Sequence, residues 1–255
     1  MTIPKWIKHS IDFLVTIIAW LYFTLGYCLL FSPFYLFSSL FSKNPEDSFQ
    51  KLNHRFLKSF FFVLRIVTPR LNIHIDDDVY SIRSSVVLCN HISYLDPILL
   101  ISLFEKQKTI VKETFLKVPI LAWLVKTSGY SFASTDETDA SFLLEGVENL
   151  ENYLSSKGNI FIFPEGTRSR DGKMGRLKKG AFTIAKRCHA PIQVLMIKNT
   201  NKLFGPGKLL LNTCVPNTIE VKRIMSIQPE YTSDTFSIHT LIEQVRQAFE
   251  HQREP

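Results

Sequence analysis

From Phe13 to Ser42 the chain carries no charged side chain, and this run of 30 residues constrains the fold more than any other feature. A helix crosses a bilayer with about 20 apolar residues, so the run is long enough to do so. It exceeds the apolar core of a signal peptide and lacks the short-core, small-residue cleavage pattern of one. Ser32-Pro33 falls two-thirds of the way along it, and proline inside a helix removes a hydrogen bond and clashes with the preceding turn. Two arrangements follow: a spanning helix that ends near Phe31, or a helical hairpin that dips into one leaflet and returns. From Asp47 to Val67, Lys51, Arg55, Lys58 and Arg65 recur at steps of four, three and seven among Phe56, Leu57, Phe60, Phe61, Phe62 and Leu64. That spacing gathers the cations on one helical face, which suits an interfacial element or a helix packed on the core.

Charge follows the same division. Residues 1–70 hold eight Lys/Arg against three Asp/Glu, so they carry +5 of the formal +7. A basic, apolar segment suits an anionic membrane surface, where each nearby cation contributes about 1 kcal/mol. Nucleic acid is not expected as a partner, because the basic residues form no recognisable DNA- or RNA-binding module. Cys28, Cys89, Cys188 and Cys214 have no paired spacing, so neither a disulfide framework nor a zinc knuckle is expected. At 255 residues the chain suits one catalytic core with an appendage. The expected division is a membrane-binding helical segment over 1–70 and a catalytic domain over 71–255.

After Thr68-Pro69 short strands alternate with helices. Leu71–Ile75, Ser85–Cys89, Ile160–Phe163 and Ile192–Ile197 read as strands, with helices near 97–105, 140–156 and 180–188. A last helix is expected from Ser233 or Asp234, with Phe236, Leu241, Val245 and Phe249 on its apolar face. Such alternation predicts an α/β fold, with a mixed, largely parallel sheet flanked by helices.

Two strand ends carry chemistry. In Cys89-Asn90-His91-Ile92-Ser93-Tyr94-Leu95-Asp96-Pro97, an apolar strand runs into an apolar helix, so the segment lies where open α/β sheets hold ligands. His91 and Asp96 would point about 140° apart on one helix, so they meet only across a turn. Pro97 as the first helical residue, with Asp96 as its N-cap, supplies one. An Asp that accepts from one imidazole nitrogen leaves the other able to take a proton. Asp96 as a plain cap and His91 as a satisfied strand-end residue is the bland alternative. The second segment, Ile160 to Ser169, again runs a strand into a turn. There Gly166 allows close backbone approach, Thr167 adds a hydroxyl and Arg168 offers a planar fork for phosphate. A Glu165–Arg168 ion pair in an ordinary turn is the competing reading.

Together these segments resemble the 1-acylglycerol-3-phosphate acyltransferase family of glycerolipid acyltransferases. Asn90, His91 and Asp96 match the family's Asn-His-x4-Asp motif, and Phe163 to Ser169 match its Phe-Pro-Glu-Gly-Thr-Arg-Ser motif without a change. The resemblance covers about 71–220, including Lys112-Glu113 with Pro119, Lys179-Gly180, and a strand entry at Gly207-Lys208-Leu209. It implies that His91 deprotonates an acceptor hydroxyl, which attacks a thioester carbonyl directly while Asp96 orients the imidazole. Arg168 and Lys112 would grip the acceptor phosphate, Glu165 and Gly166 would shape its pocket, and Asn90 and Thr167 would line it. Acyl-CoA or acyl carrier protein would be the co-substrate, with no metal or other cofactor. The acceptor would be lysophosphatidate, acylated at its sn-2 hydroxyl, and the location the cytoplasmic face of a bacterial inner membrane.

Two departures bear on the acceptor. The family's second motif carries an Arg a few residues after a Gly, whereas Gly129 to Thr135 has none; Lys126, Lys178 and Lys179 are the candidate replacements. The fourth motif reads Ala190-Pro191-Ile192-Gln193-Val194 where a second Pro is common. Another lysophospholipid or a lyso-aminolipid therefore stands as an alternative acceptor, and a non-catalytic lipid-binding protein as an alternative class. Ser93 and Cys89 lack the surroundings of an acyl-enzyme nucleophile.

Overall fold

The computed structural model describes residues 4–133, 147–169 and 174–252. They fall into two compact units, one of Met1–Ile75, Ile92–Glu105 and Ile197–Glu220, the other of Asp76–His91, Lys106–Met196 and Val221–Pro255. The boundary expected at residue 70 does not coincide with this division. The helical N-terminal segment shares its unit with two later stretches of chain.

In the first unit, helix α1 runs over Lys5–Phe41, 37 residues long and apolar enough to cross a membrane. It does not end near Phe31. Its Tyr22–Phe31 stretch is wound as a π-helix, and Ser32 Oγ donates to the Cys28 carbonyl one turn back. The wider winding directly precedes Pro33, whose missing N–H and bulky ring cannot be accommodated by regular α-helical bonding. The chain turns at 42–44 instead, and α2 (Pro45–Val67) starts with Asn44 accepting from the Asp47 N–H. Contacts at Ser42–Ser48, Tyr35–Asn53 and Tyr22–Ser59 pair the helices antiparallel. Phe23, Tyr27 and Phe31 of α1 pack on Phe56 of α2. The inward face of α2 holds Phe49, Phe56, Leu57, Phe60, Phe61 and Leu64, all buried, while Phe62 and Ile66 stay exposed. This helix packs on its neighbours, as the core-packed reading expects, and leaves Arg55, Lys58, Phe62, Arg65 and Ile66 exposed on its outer side. β1 (Leu71–Ile75) follows, and α4 (Leu95–Leu103) packs on α2 within the same unit.

The second unit holds α3 (Asp77–Tyr80), β2 (Val86–Cys89), β3 (Gln107–Lys112) and a 3₁₀ turn at Glu113–Lys117. These are followed by α5 (Pro119–Thr127), β4 (Ser131–Ala133), α6 (Val147–Ser155), β5 (Asn159–Ile162), α7 (Lys179–Arg187) and β6 (Ile192–Lys198). The short α8 (Thr200–Leu203) belongs to the first unit, β7 (Asn217–Ile227) begins there, and α9 (Ile238–His251) closes the second. Strand order is β7-β6-β2-β5-β3-β4, with β1 on the outer side of β7. β2 pairs parallel with β5 and β6, and β3 pairs parallel with β5 and β4. Strands β2, β5 and nearly all of β6 are buried along their length, as expected where helices cover both faces of a parallel sheet.

The four expected strands are present within a residue or two. β3, β4 and β7 were not anticipated; β3 and β7 mix polar with apolar residues and lack the continuous apolar run of buried strands. The start of the helix expected from 140 lies outside the described residues. The last helix begins at Ile238 rather than near 233, because Ser237 Oγ accepts from the Thr240 N–H. Phe236 precedes it and packs on Tyr231. No strand entry exists at Gly207-Lys208-Leu209. Thr16 and Asp12 of α1 take the Leu211 and Thr213 N–H groups, and the Leu203 carbonyl takes that of Asn212.

Candidate active site

Asn90 and His91 leave the carboxyl end of β2, and Phe163 to Ser169 leave that of β5. Parallel register pairs Leu88 with Ile162, which brings both motifs to one end of adjacent strands about 4.8 Å apart. β3 is parallel to β5 on its other side, with Thr109 opposite Phe161. Lys112 therefore ends its strand at the same end of the sheet, exposed.

The turn after β5 clamps His91. Its N–H donates to Glu165 Oε1 at 3.2 Å and its carbonyl accepts from the Ser169 N–H at 2.9 Å. Its ring stacks on Phe163 with centroids 4.2 Å apart and planes 25° from parallel. Backbone and ring of the expected base are thus held by one turn. Glu165 is buried, and its Oε2 accepts from the Gly175 N–H at 2.8 Å. Its carboxylate therefore holds two backbone donors, which makes it a brace for the site's walls.

Gly166 adopts φ +69°, and a Cβ there would lie 2.7 Å from Lys178 Cε and 2.8 Å from its Nζ. The left-handed turn suits glycine, and the missing side chain makes room for an ammonium. Of the three lysines considered as replacements for the absent arginine, Lys178 is the one laid against this motif. Gly129 of the second motif also has positive φ, and its Ser134 and Thr135 lie outside the described residues. Thr167 is exposed, Arg168 is half-buried beside Ser169, and Asn90 is buried with the Cys89 thiol directed at its Oδ1.

The chain passes from the second unit to the first at the His91–Ile92 peptide bond. Asp96, 0% exposed, accepts with Oδ2 from the Ile92 and Ser93 N–H groups, each at 2.7 Å, and with Oδ1 from Thr200 Oγ1 at 2.6 Å. It is not the N-cap of α4, which already begins at Leu95. Its carboxylate reaches back to the two peptides that follow His91, because Ser93 Oγ serves the Leu95 N–H instead. That hydroxyl also donates to the Phe204 carbonyl and is fully buried, so it is engaged in shaping the turn. Tyr94 is exposed, and its ring lies 5.7 Å from that of Phe204, tilted by 41°.

Residues 70–198 match the family model described as Acyltransferase. The chain belongs to this acyltransferase family. It is 32% identical over 122 residues to the chloroplastic 1-acyl-sn-glycerol-3-phosphate acyltransferase BAT2 of Brassica napus, covering 48% of this chain and 35% of that protein. The 1-acyl-sn-glycerol-3-phosphate acyltransferase of Saccharomyces cerevisiae is 33% identical over 126 residues, covering 48% of this chain and 41% of that protein. The chain thus spans little more than a third of the length of these curated relatives. The crystal structure of the 1-acyl-sn-glycerophosphate acyltransferase PlsC from Thermotoga maritima superposes with a TM-score of 0.73 at 22% identity, covering 97% of this chain and 99% of that one. That likeness establishes a shared acyltransferase fold. The clamp from Phe163 and Ser169, and the brace from Thr200, escaped sequence reading. Phe163 precedes the informative residues of its motif, and Thr200 lies 104 residues from Asp96.

Proposed function

We propose that this acyltransferase moves a fatty acyl group from acyl-CoA or acyl carrier protein to the sn-2 hydroxyl of lysophosphatidate, making phosphatidate. The observation that carries the reading is the clamp on His91. The turn that holds its backbone at both polar groups also bears Arg168, so an imidazole and a guanidinium issue from adjacent strand ends. In the proposed reaction His91 takes the hydroxyl proton as the oxygen attacks the thioester carbonyl. Collapse of the tetrahedral intermediate expels the thiolate, which recovers that proton from the imidazolium. Asp96 orients the imidazole, and Arg168, Lys112 and Lys178 hold the phosphate at the pocket shaped by Asn90, Glu165, Gly166 and Thr167. General-base assistance contributes about 10²- to 10⁴-fold, and positioning supplies much of the remainder.

The α1–α2 hairpin is proposed to lie in one leaflet, at the cytoplasmic face. Antiparallel pairing sets Lys58 level with Tyr22 and Lys51 near Tyr35. A spanning α1 would therefore draw α2's cations into hydrocarbon at about 2.5–3.5 kcal/mol each.

The test is transfer of labelled acyl groups from both donors to lysophosphatidate and to a panel of other lysolipids. His91→Ala is expected to lower transfer by about 10²- to 10⁴-fold, and undiminished turnover would remove His91 from the mechanism. Binding without turnover across the whole panel would favour a lipid-binding protein. Preference for an acceptor without a phosphate monoester would redirect the assignment of Arg168 and Lys178.

A further inference from the structure

We propose that the loop from Phe204 to Pro216 is a second membrane contact, held rigidly on α1 and inserting Leu209 into the surface of an anionic bilayer. Four observations carry this. Leu209 is 86% exposed, more than the outward side chains of α1 such as Leu29 at 71%. An apolar side chain so fully in water, two residues from a buried Leu211, has no packing role on its own chain. The loop is nevertheless built. The Leu211 N–H donates to Thr16 Oγ1 at 2.9 Å, and the Thr213 N–H and hydroxyl both donate to Asp12 Oδ1 at 2.7 Å. Asp12 is itself buried, with its other oxygen 2.5 Å from Lys8 Nζ. The one carboxylate of α1 thus has a structural purpose: it fastens this loop to α1, beside the apolar side chains Phe13, Leu14 and Ile17.

Charge selects the partner. Lys202 and Lys208 both precede the exposed leucine, Lys208 directly, and no Asp or Glu occurs from Lys202 to Ile219. Val215, also exposed, ends the same loop. An apolar tip next to cations, in a stretch without acidic residues, fits the boundary between anionic head groups and acyl chains. The inference rests on the proposed membrane binding of α1, and the experiment separates the two.

In a Cys28→Ser, Cys214→Ser background, an environment-sensitive dye is attached to Leu209→Cys or, in a separate protein, to Leu29→Cys. Each is mixed with vesicles of phosphatidylcholine alone or of equal parts phosphatidylcholine and phosphatidylglycerol. Both dyes are expected to shift to the blue and to be quenched by spin-labelled lipid, more strongly on the anionic vesicles. Leu209→Asp, with an unchanged circular dichroism spectrum, is expected to weaken partitioning by about tenfold, as for the loss of one buried leucine. A response at 29 with silence at 209 overturns the loop's role and leaves α1 as the sole contact. Silence at both overturns membrane binding and the loop together. A shift at 209 that follows protein concentration without vesicles assigns the surface to a second copy and overturns the lipid partner.

Discussion

Glu165 joins two backbone donors that belong to different turns, the His91 N–H and the Gly175 N–H, through the two oxygens of one buried carboxylate. A neutral amide in its place offers one acceptor and presents an N–H₂ to the other donor. Glu165→Gln is therefore expected to lower kcat by about tenfold, the scale of one charge-assisted hydrogen bond, with little change in KM for the acyl donor. Steady-state kinetics on both substrates checks this; an unchanged kcat would mean that the brace does not position the base. At this scale the motifs were legible as residue types but not as contacts. Gly166 was assigned to close approach from its freedom alone, and what approaches is Lys178. Asp96 was expected to cap α4, yet it holds the peptides after His91 and pairs with Thr200. A carboxylate beside a helix start finds whichever N–H groups the turn presents, and that is a property of three-dimensional placement.

Elements were legible where burial is symmetric or strictly one-sided. β2, β5 and β6 announce themselves as apolar runs because both faces are covered. β7 went unseen because its burial alternates and then weakens along its length. In the helical unit, α2 joins α4 through His54, whose Nδ1 pairs with the Ile101 carbonyl at 3.2 Å. Burial, the largest influence, together with Lys58 and Arg55, holds this imidazole below its ordinary value of 6.5, against the opposing pull of that bond and of Glu105. The unfolded chain therefore gains a proton on acidification before the folded one does. His54 adds stability above about pH 6.5 that is lost as pH falls through the lowered folded value. Denaturant midpoints at about pH 7 and about pH 5.5 should show a drop on acidification that His54→Gln reduces. An equal drop in the variant would assign the acid sensitivity to other groups.

Across the whole molecule the formal charge of +7 sits mostly in residues 1–70. Vesicle binding should fall as salt shortens the Debye length from about 10 Å at 0.1 M to about 3 Å at 1 M. The part that remains at high salt measures the apolar face of α1; a salt-independent affinity would exclude an electrostatic share. Amino-acid order alone determined the class of fold, the uncharged N-terminal run, both strand-end motifs and the kinship they imply, since each is written in neighbouring residues. Only tertiary structure decided that α1 continues through Pro33, that Asp12 fastens a loop some 200 residues away, and that one turn grips His91 by backbone and ring. These rest on pairings between distant segments, where a side chain's partner is set by where the chain returns and not by what stands beside it in sequence.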